Sequence, residues 1–171
     1  GLDRLIAALP HVPGIRLVIA GNDEEGYRRT LAEQAVAAGV VERVVFCGPV
    51  HGDGKAALMA HAEALVLASY SENFGNVVLE AMAAGCPVVV TPEVGIAGIV
   101  RDAGAGLVVD GAPDSLGEGI SRLISDSTLR QTMGQKGRLA ALDLSWPAVA
   151  ERMAQAYQEI TVAARCRSDR A

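Results

Sequence analysis

Between positions 73 and 92 the chain carries one charged side chain, Glu80. The residues around it read Asn-Val-Val-Leu-Glu-Ala-Met-Ala-Ala over 76–84. That run is apolar nearly all round, the pattern of a largely buried helix. A lone carboxylate there loses on the order of several kcal/mol of solvation unless a partner satisfies it. Glu80 falls about one turn from the helix start, toward the end where a ligand would sit. Both hydroxyls of a diol, such as the 2′ and 3′ hydroxyls of a ribose, would satisfy it. So would a buried arginine or a backbone amide, and the residues alone leave both readings open.

Phe74-Gly75-Asn76 lead into the same helix. Glycine there lets a ligand approach the backbone closely, and Asn76 is the expected N-cap. The free amides of Gly75, Asn76 and Val77, at the positive end of the helix, suit a phosphate. A single glycine at a helix start also serves a plain tight turn. Glu72 lies in the loop, beside the anion site, either binding sugar hydroxyls next to a phosphate or standing solvated. Lys55 is the one lysine in the loops of this edge, either neutralising phosphate or occupying a helix surface.

Strands are expected over 15–21, 44–48, 64–69, 87–91 and 106–110. Helices are expected over 2–9, 24–38, 53–62, 76–84, 96–101, 114–125, 127–140 and 146–160. This alternation implies right-handed βαβ units and a parallel sheet. The strands end in Gly21, Gly48, Ser69, Thr91 and Asp110, and doubly wound sheets bind ligands at the carboxyl ends of their strands. The expected architecture is α/β, a Rossmann-like parallel sheet with helices on both faces, forming one domain over 1–160. A flexible tail is expected over 161–171, with Arg165, Arg167 and Arg170.

The 171 residues are 50% hydrophobic and 20% charged, which fits a globular chain with a proper core. A formal charge of −5, with no basic stripe, argues against nucleic-acid binding. Cys47, Cys86 and Cys166 are too few and too widely spaced for a disulfide framework or a C-x-x-C metal site. Cys47 and Cys86 lie in apolar runs and read as small core residues of a reduced, cytoplasmic protein. His11, His51 and His61 have no ligand spacing, and no metal is expected. No apolar run of about 18 residues is long enough to span a membrane. Arginines of the tail would allow at most a peripheral contact at the inner membrane surface.

Glu72 and Glu80 with Phe-Gly between them, followed by Glu-Ala-Met-Ala-Ala-Gly-x-Pro-Val-Val, resemble glycosyltransferase family 4. The likeness extends over 17–21, 46–50, 64–90, 104–110, 129–137 and the Ser145-Trp146 helix start. It implies the C-terminal half of a GT-B fold, binding the donor of a retaining, metal-independent hexosyltransferase that needs no cofactor and uses a UDP-sugar or GDP-sugar. In that reading Glu72 is catalytic and orients the donor sugar. Phe74, Gly75, Asn76 and Val77 contact the sugar and distal phosphate, Glu80 holds the ribose, and Gly48, Pro49 and Val50 line the base pocket. The acceptor is left open.

Two departures from the family pattern stand out. Val94-Gly95-Ile96-Ala97-Gly98 replaces the usual Gly-Gly-x-x-Glu, so the acid at position 98 is absent. The family also places a strand, an arginine loop and a Lys-Gly pair around the position where Gly1 stands. The sheet is therefore expected to lack its first strand, between those at 15–21 and 64–69. The unpaired edges would favour homodimerisation, and the chain alone would be inactive. Two rivals are a nucleotide-sugar 2-epimerase and a non-catalytic interaction domain on the same fold.

Overall fold

Short runs of Val, Leu and Ile form five parallel strands, each followed by a helix. In a computed structural model, the backbone is described for residues 1–168 and side chains for residues 1–161. The strands are β1 (Leu17–Ala20), β2 (Val44–Gly48), β3 (Leu65–Leu67), β4 (Val88–Val90) and β5 (Gly106–Val108). The helices are α1 (Leu2–Ala8), α2 (Tyr27–Ala37), α3 (Gly52–His61), α4 (Asn76–Ala84), α5 (Ala97–Ala103), α6 (Pro113–Ser125), α7 (Ser127–Asp143) and α8 (Trp146–Ser168). The last of these runs past the helix end expected at 160. Arg170 lies outside the described residues, as do the side chains of Arg165 and Arg167.

β4 shows how the layers form. All three of its valines are fully buried, and they alternate between two cores. Val88 and Val90 pack with Val78 and Met82 of α4, while Val89 packs with Ile120 and Leu123 of α6. Opposite faces of one strand thus meet different helices, as strand pleating requires. Gly106 of β5 lies against this strand so closely that a Cβ would stand 2.0 Å from the Val88 carbonyl oxygen.

Hydrogen bonding divides the strands into β1–β2 and β3–β4–β5. Leu17 of β1 and Val66 of β3 pack against the same cluster, formed by Leu5 and Ala8 of α1 with Leu116 of α6. Both therefore lie in one layer over the same helices, with no ladder between them. The interruption falls where the resemblance implied an absent strand. Backbone at Gly1 closes on the end of β3, where an added Cβ would lie 2.0 Å from the Ala68 carbonyl oxygen.

The smaller sheet departs from the expectation for Cys47. Its residues alternate, and Val18, Val45 and Cys47 lie on its exposed side. An apolar run in β2 therefore does not make every member a core residue, because among the described residues one side of this sheet is left uncovered. Cys86 is buried as expected, and burial pushes its thiol pKa up to about 11. Its sulfhydryl lies 3.5 Å from the Pro87 carbonyl oxygen.

Candidate functional site

The loop from β3 to α4 is held by the loop that follows β4. Thr91 is fully buried, and its hydroxyl donates to the Ser69 carbonyl at 2.9 Å. Further along, the Glu72 amide donates to the Glu93 carbonyl at 3.1 Å, and the Gly95 amide donates back to the Glu72 carbonyl at 2.9 Å. The Ile96 amide then donates to the Phe74 carbonyl at 2.9 Å. Val94 and Ile96 are buried, anchoring this second loop in the core. The result is a strand-like pairing beyond the sheet's carboxyl edge, centred on Glu72 and Val94.

Gly75, not Asn76, is the N-cap of α4. Its φ of 94° and ψ of 57° are left-handed, and no side chain caps the helix. Asn76 is the first helical residue, correcting the sequence expectation. Glycine is required here both by that backbone and by space, since a Cβ would come within 3.0 Å of Val94 Cγ1. The Val78 amide bonds the Gly75 carbonyl at 2.9 Å. Amides of Gly75, Asn76 and Val77 have no hydrogen-bond partner among the described residues, leaving three donors at the positive helix end. At the far end Gly85 takes a left-handed conformation, and Arg138 donates to the Ala84 carbonyl at 3.0 Å.

Glu72 lies in the loop as expected. Its Oε1 accepts from the Phe74 amide at 3.2 Å, which turns the carboxylate toward the α4 start. Phe74 is partly exposed beside it.

Glu80 is not the buried lone charge that its apolar neighbours suggested. Val78, Ala81 and Met82 form the inner face of α4, whereas Asn76, Glu80 and Ala83 are exposed. The Glu80 side chain is 47% exposed and pairs through Oε2 with the Lys55 ammonium. Desolvation is modest at that exposure, so the pairing argument from burial does not apply. Lys55 is on the first turns of α3, whose N-cap, His51, directly follows Gly48-Pro49-Val50. Gly48 has φ of 72°, and its carbonyl receives the Gly21 amide at 2.9 Å. The structure thus brings Glu72, residues 74–77, Glu80 and Lys55 together around the α4 start, with 48–50 at the root of α3.

A cleft of about 400 Å³ lies along the same edge, lined by Asp3, Arg4, Tyr70, Glu93 and Asp110. Sequence reading did not single it out. The Arg4 guanidinium stacks 3.6 Å from the Tyr70 ring centroid and donates to the carbonyls of Ala68 and Ser69. The Tyr70 hydroxyl donates to Asp3 at 2.7 Å. These bonds bind α1 to the end of β3, and so help hold the loop that carries Glu72. Among the described residues no group of three or more His, Cys, Asp or Glu side chains could hold a metal ion, and no helix is long and apolar enough to cross a membrane.

Parallel strands with helices on both faces of the larger sheet, and a helix start with open amides at the carboxyl edge, define a Rossmann-like domain. The sequence profile described as "Glycosyl transferases group 1" matches residues 1–140, and the chain belongs to that family. It is 38% identical over 134 residues to a D-inositol 3-phosphate glycosyltransferase of Salinispora arenicola, covering 78% of this chain and 30% of that protein. A phosphatidyl-myo-inositol mannosyltransferase of Mycobacterium leprae is 32% identical over 166 residues, covering 94% and 43%. The chain therefore spans less than half the length of these relatives.

Solved structures agree. Sucrose-phosphate synthase from Thermosynechococcus elongatus superimposes with a TM-score of 0.85 at 29% identity, covering 95% of this chain and 43% of that one. HepE of Anabaena, solved in complex with UDP and glucose, gives 0.80 at 26% identity, covering 93% and 45%.

Proposed function

We propose that this chain is the donor-binding half of a retaining glycosyltransferase that moves a hexose from a UDP-sugar or GDP-sugar to an acceptor hydroxyl. The observation that carries the reading is the α4 start, where three open amides stand between the carboxylates of Glu72 and Glu80. Diphosphate oxygens would accept from Gly75, Asn76 and Val77, supported by the helix dipole. Glu80 would hold the ribose, Glu72 the hydroxyls of the donor sugar, and Gly48, Pro49 and Val50 the base. Charge developing on the leaving diphosphate would be stabilised by donors already in place, which is electrostatic preorganisation. The complexes of HepE with UDP support this class of ligand.

Titrating UDP and GDP into the isotope-labelled chain is expected to shift the amide resonances of residues 75–77 first and most. The chain alone is expected to transfer no sugar, whereas the longer protein carrying both halves should. Binding of neither nucleotide by the longer protein would overturn the reading and favour a non-catalytic domain. Conversion of the donor without any acceptor would favour a 2-epimerase.

The interrupted sheet adds a proposal about assembly. Among the described residues neither β1 nor β3 has a strand on its facing edge. Open edges of this kind recruit strands from other chains. The isolated chain is expected to self-associate through them. Sedimentation showing a monomer at tens-of-micromolar concentration would count against this.

A further inference from the structure

We propose that Lys55 is a positioning residue, holding the Glu80 carboxylate in place for the ribose instead of meeting phosphate itself. This rests on the donor reading given above. Glu80 stands on the exposed face of α4 at 47% exposure, so packing does not select its rotamer. The ion pair to Lys55 does. It engages Oε2, and Oε1 has no partner among the described residues, leaving it open to a hydroxyl.

The two helices that carry this pair share one buried core. α3 and α4 pack through Met59 against the core that holds Val78 and Met82. Lys55 sits four residues beyond the His51 N-cap, and its amide bonds the His51 carbonyl at 3.4 Å. The ammonium thus ties the helix rooted at Gly48-Pro49-Val50 to the helix that starts at the anion site. That arrangement sets the spacing between a base pocket and a phosphate site, which is the distance a ribose bridges.

Charge supplies the second reason. A diphosphate docking at Gly75, Asn76 and Val77 approaches Glu80 one turn away, and two like charges repel. Lys55 cancels the carboxylate charge without removing its acceptor oxygens. A lysine engaged this way has its charge already opposed by Glu80, which weakens its pull on a phosphate.

The test compares UDP and GDP with their 2′-deoxy counterparts, measured by calorimetry on the full-length protein. The unmodified protein is expected to prefer the ribonucleotide about tenfold, the worth of one charge-assisted hydrogen bond. Lys55→Met is expected to remove most of that preference, and Lys55→Arg to retain it. Lys55→Gln serves as a second neutral variant, checked for an unchanged melting temperature. If Lys55 meets phosphate instead, Lys55→Met weakens ribo and deoxy nucleotides alike and keeps their ratio, which overturns the proposal. Glu80→Gln separates the two levels of the argument. Loss of ribose preference there, but not in Lys55→Met, sinks the Lys55 role alone. A preference intact in Glu80→Gln removes Glu80 as the ribose ligand and the donor geometry with it.

Discussion

If Glu72 orients the donor sugar as proposed, Glu72→Gln in a protein joining this chain to an acceptor-binding half is expected to lower kcat about 100-fold, the usual cost of losing one preorganised electrostatic contact, with little change in nucleoside diphosphate affinity. The backbone of Glu72 is held on both sides by the Glu93 carbonyl and the Gly95 amide. Its Oε1 is fixed by the Phe74 amide. The carboxylate is therefore set before any sugar arrives, and ordering it costs nothing at the reacting step. Glutamine has the same shape but loses the charge and one acceptor. Since Glu72 lies before the α4 start and not at it, phosphate binding should survive. Steady-state kinetics with calorimetry on the same variant check both halves. An unchanged kcat would return Glu72 to the status of a solvated loop acid, and an equal loss of nucleotide affinity would place it at the phosphate.

The second large effect is expected at Gly95. A Cβ there would stand 2.0 Å from the Asn73 carbonyl oxygen and 3.1 Å from Phe74 Cα. Those atoms are backbone and cannot swing aside, so Gly95→Ala must displace the 73–75 turn. Stability is expected to fall by about 1–3 kcal/mol, as for other overpacked sites. Nucleotide affinity should drop with it, because the same turn sets Gly75 and the open amides. Gly98→Ala is the control, since its nearest neighbour to an added Cβ is the flexible Arg101 side chain at 4.0 Å. Chemical denaturation and UDP or GDP titration of both variants decide the matter. A Gly95→Ala protein as stable and as tightly binding as the Gly98→Ala one would show that the loop pairing is dispensable.

Much of this domain follows from sequence periodicity. The strand over 44–48 and the helix over 76–84 agree with β2 and α4 to the residue. Valine runs bounded by Gly and Pro leave little choice there. The other elements agree in type, with ends shifted by up to three residues where capping and fraying compete with composition, except α8, which runs on to Ser168. Of the loop residues, Glu80 could be singled out because it is the one charge between 73 and 92, Gly75 because it precedes a helix, and Glu72 mostly through the family resemblance.

What sequence could not supply was the side of an element that faces the core. Glu80 looked buried because its helix neighbours are apolar, yet α4 covers the sheet with only Val78, Ala81 and Met82 turned inward. Cys47 looked buried for the same reason, and the smaller sheet leaves its side open. The Lys55 pair joins residues 25 positions apart, and no local pattern announces it. Pairing of the 69–75 and 91–96 loops is equally non-local, and it depends on Gly95 passing against the Asn73 backbone. Element type and the presence of a candidate anion site are thus properties of local sequence, because turn chemistry and hydrophobic period act over a few residues. Which carboxylate is exposed, which lysine holds it, and what fixes the loop depend on packing between segments distant in the chain, and only the tertiary structure decided them.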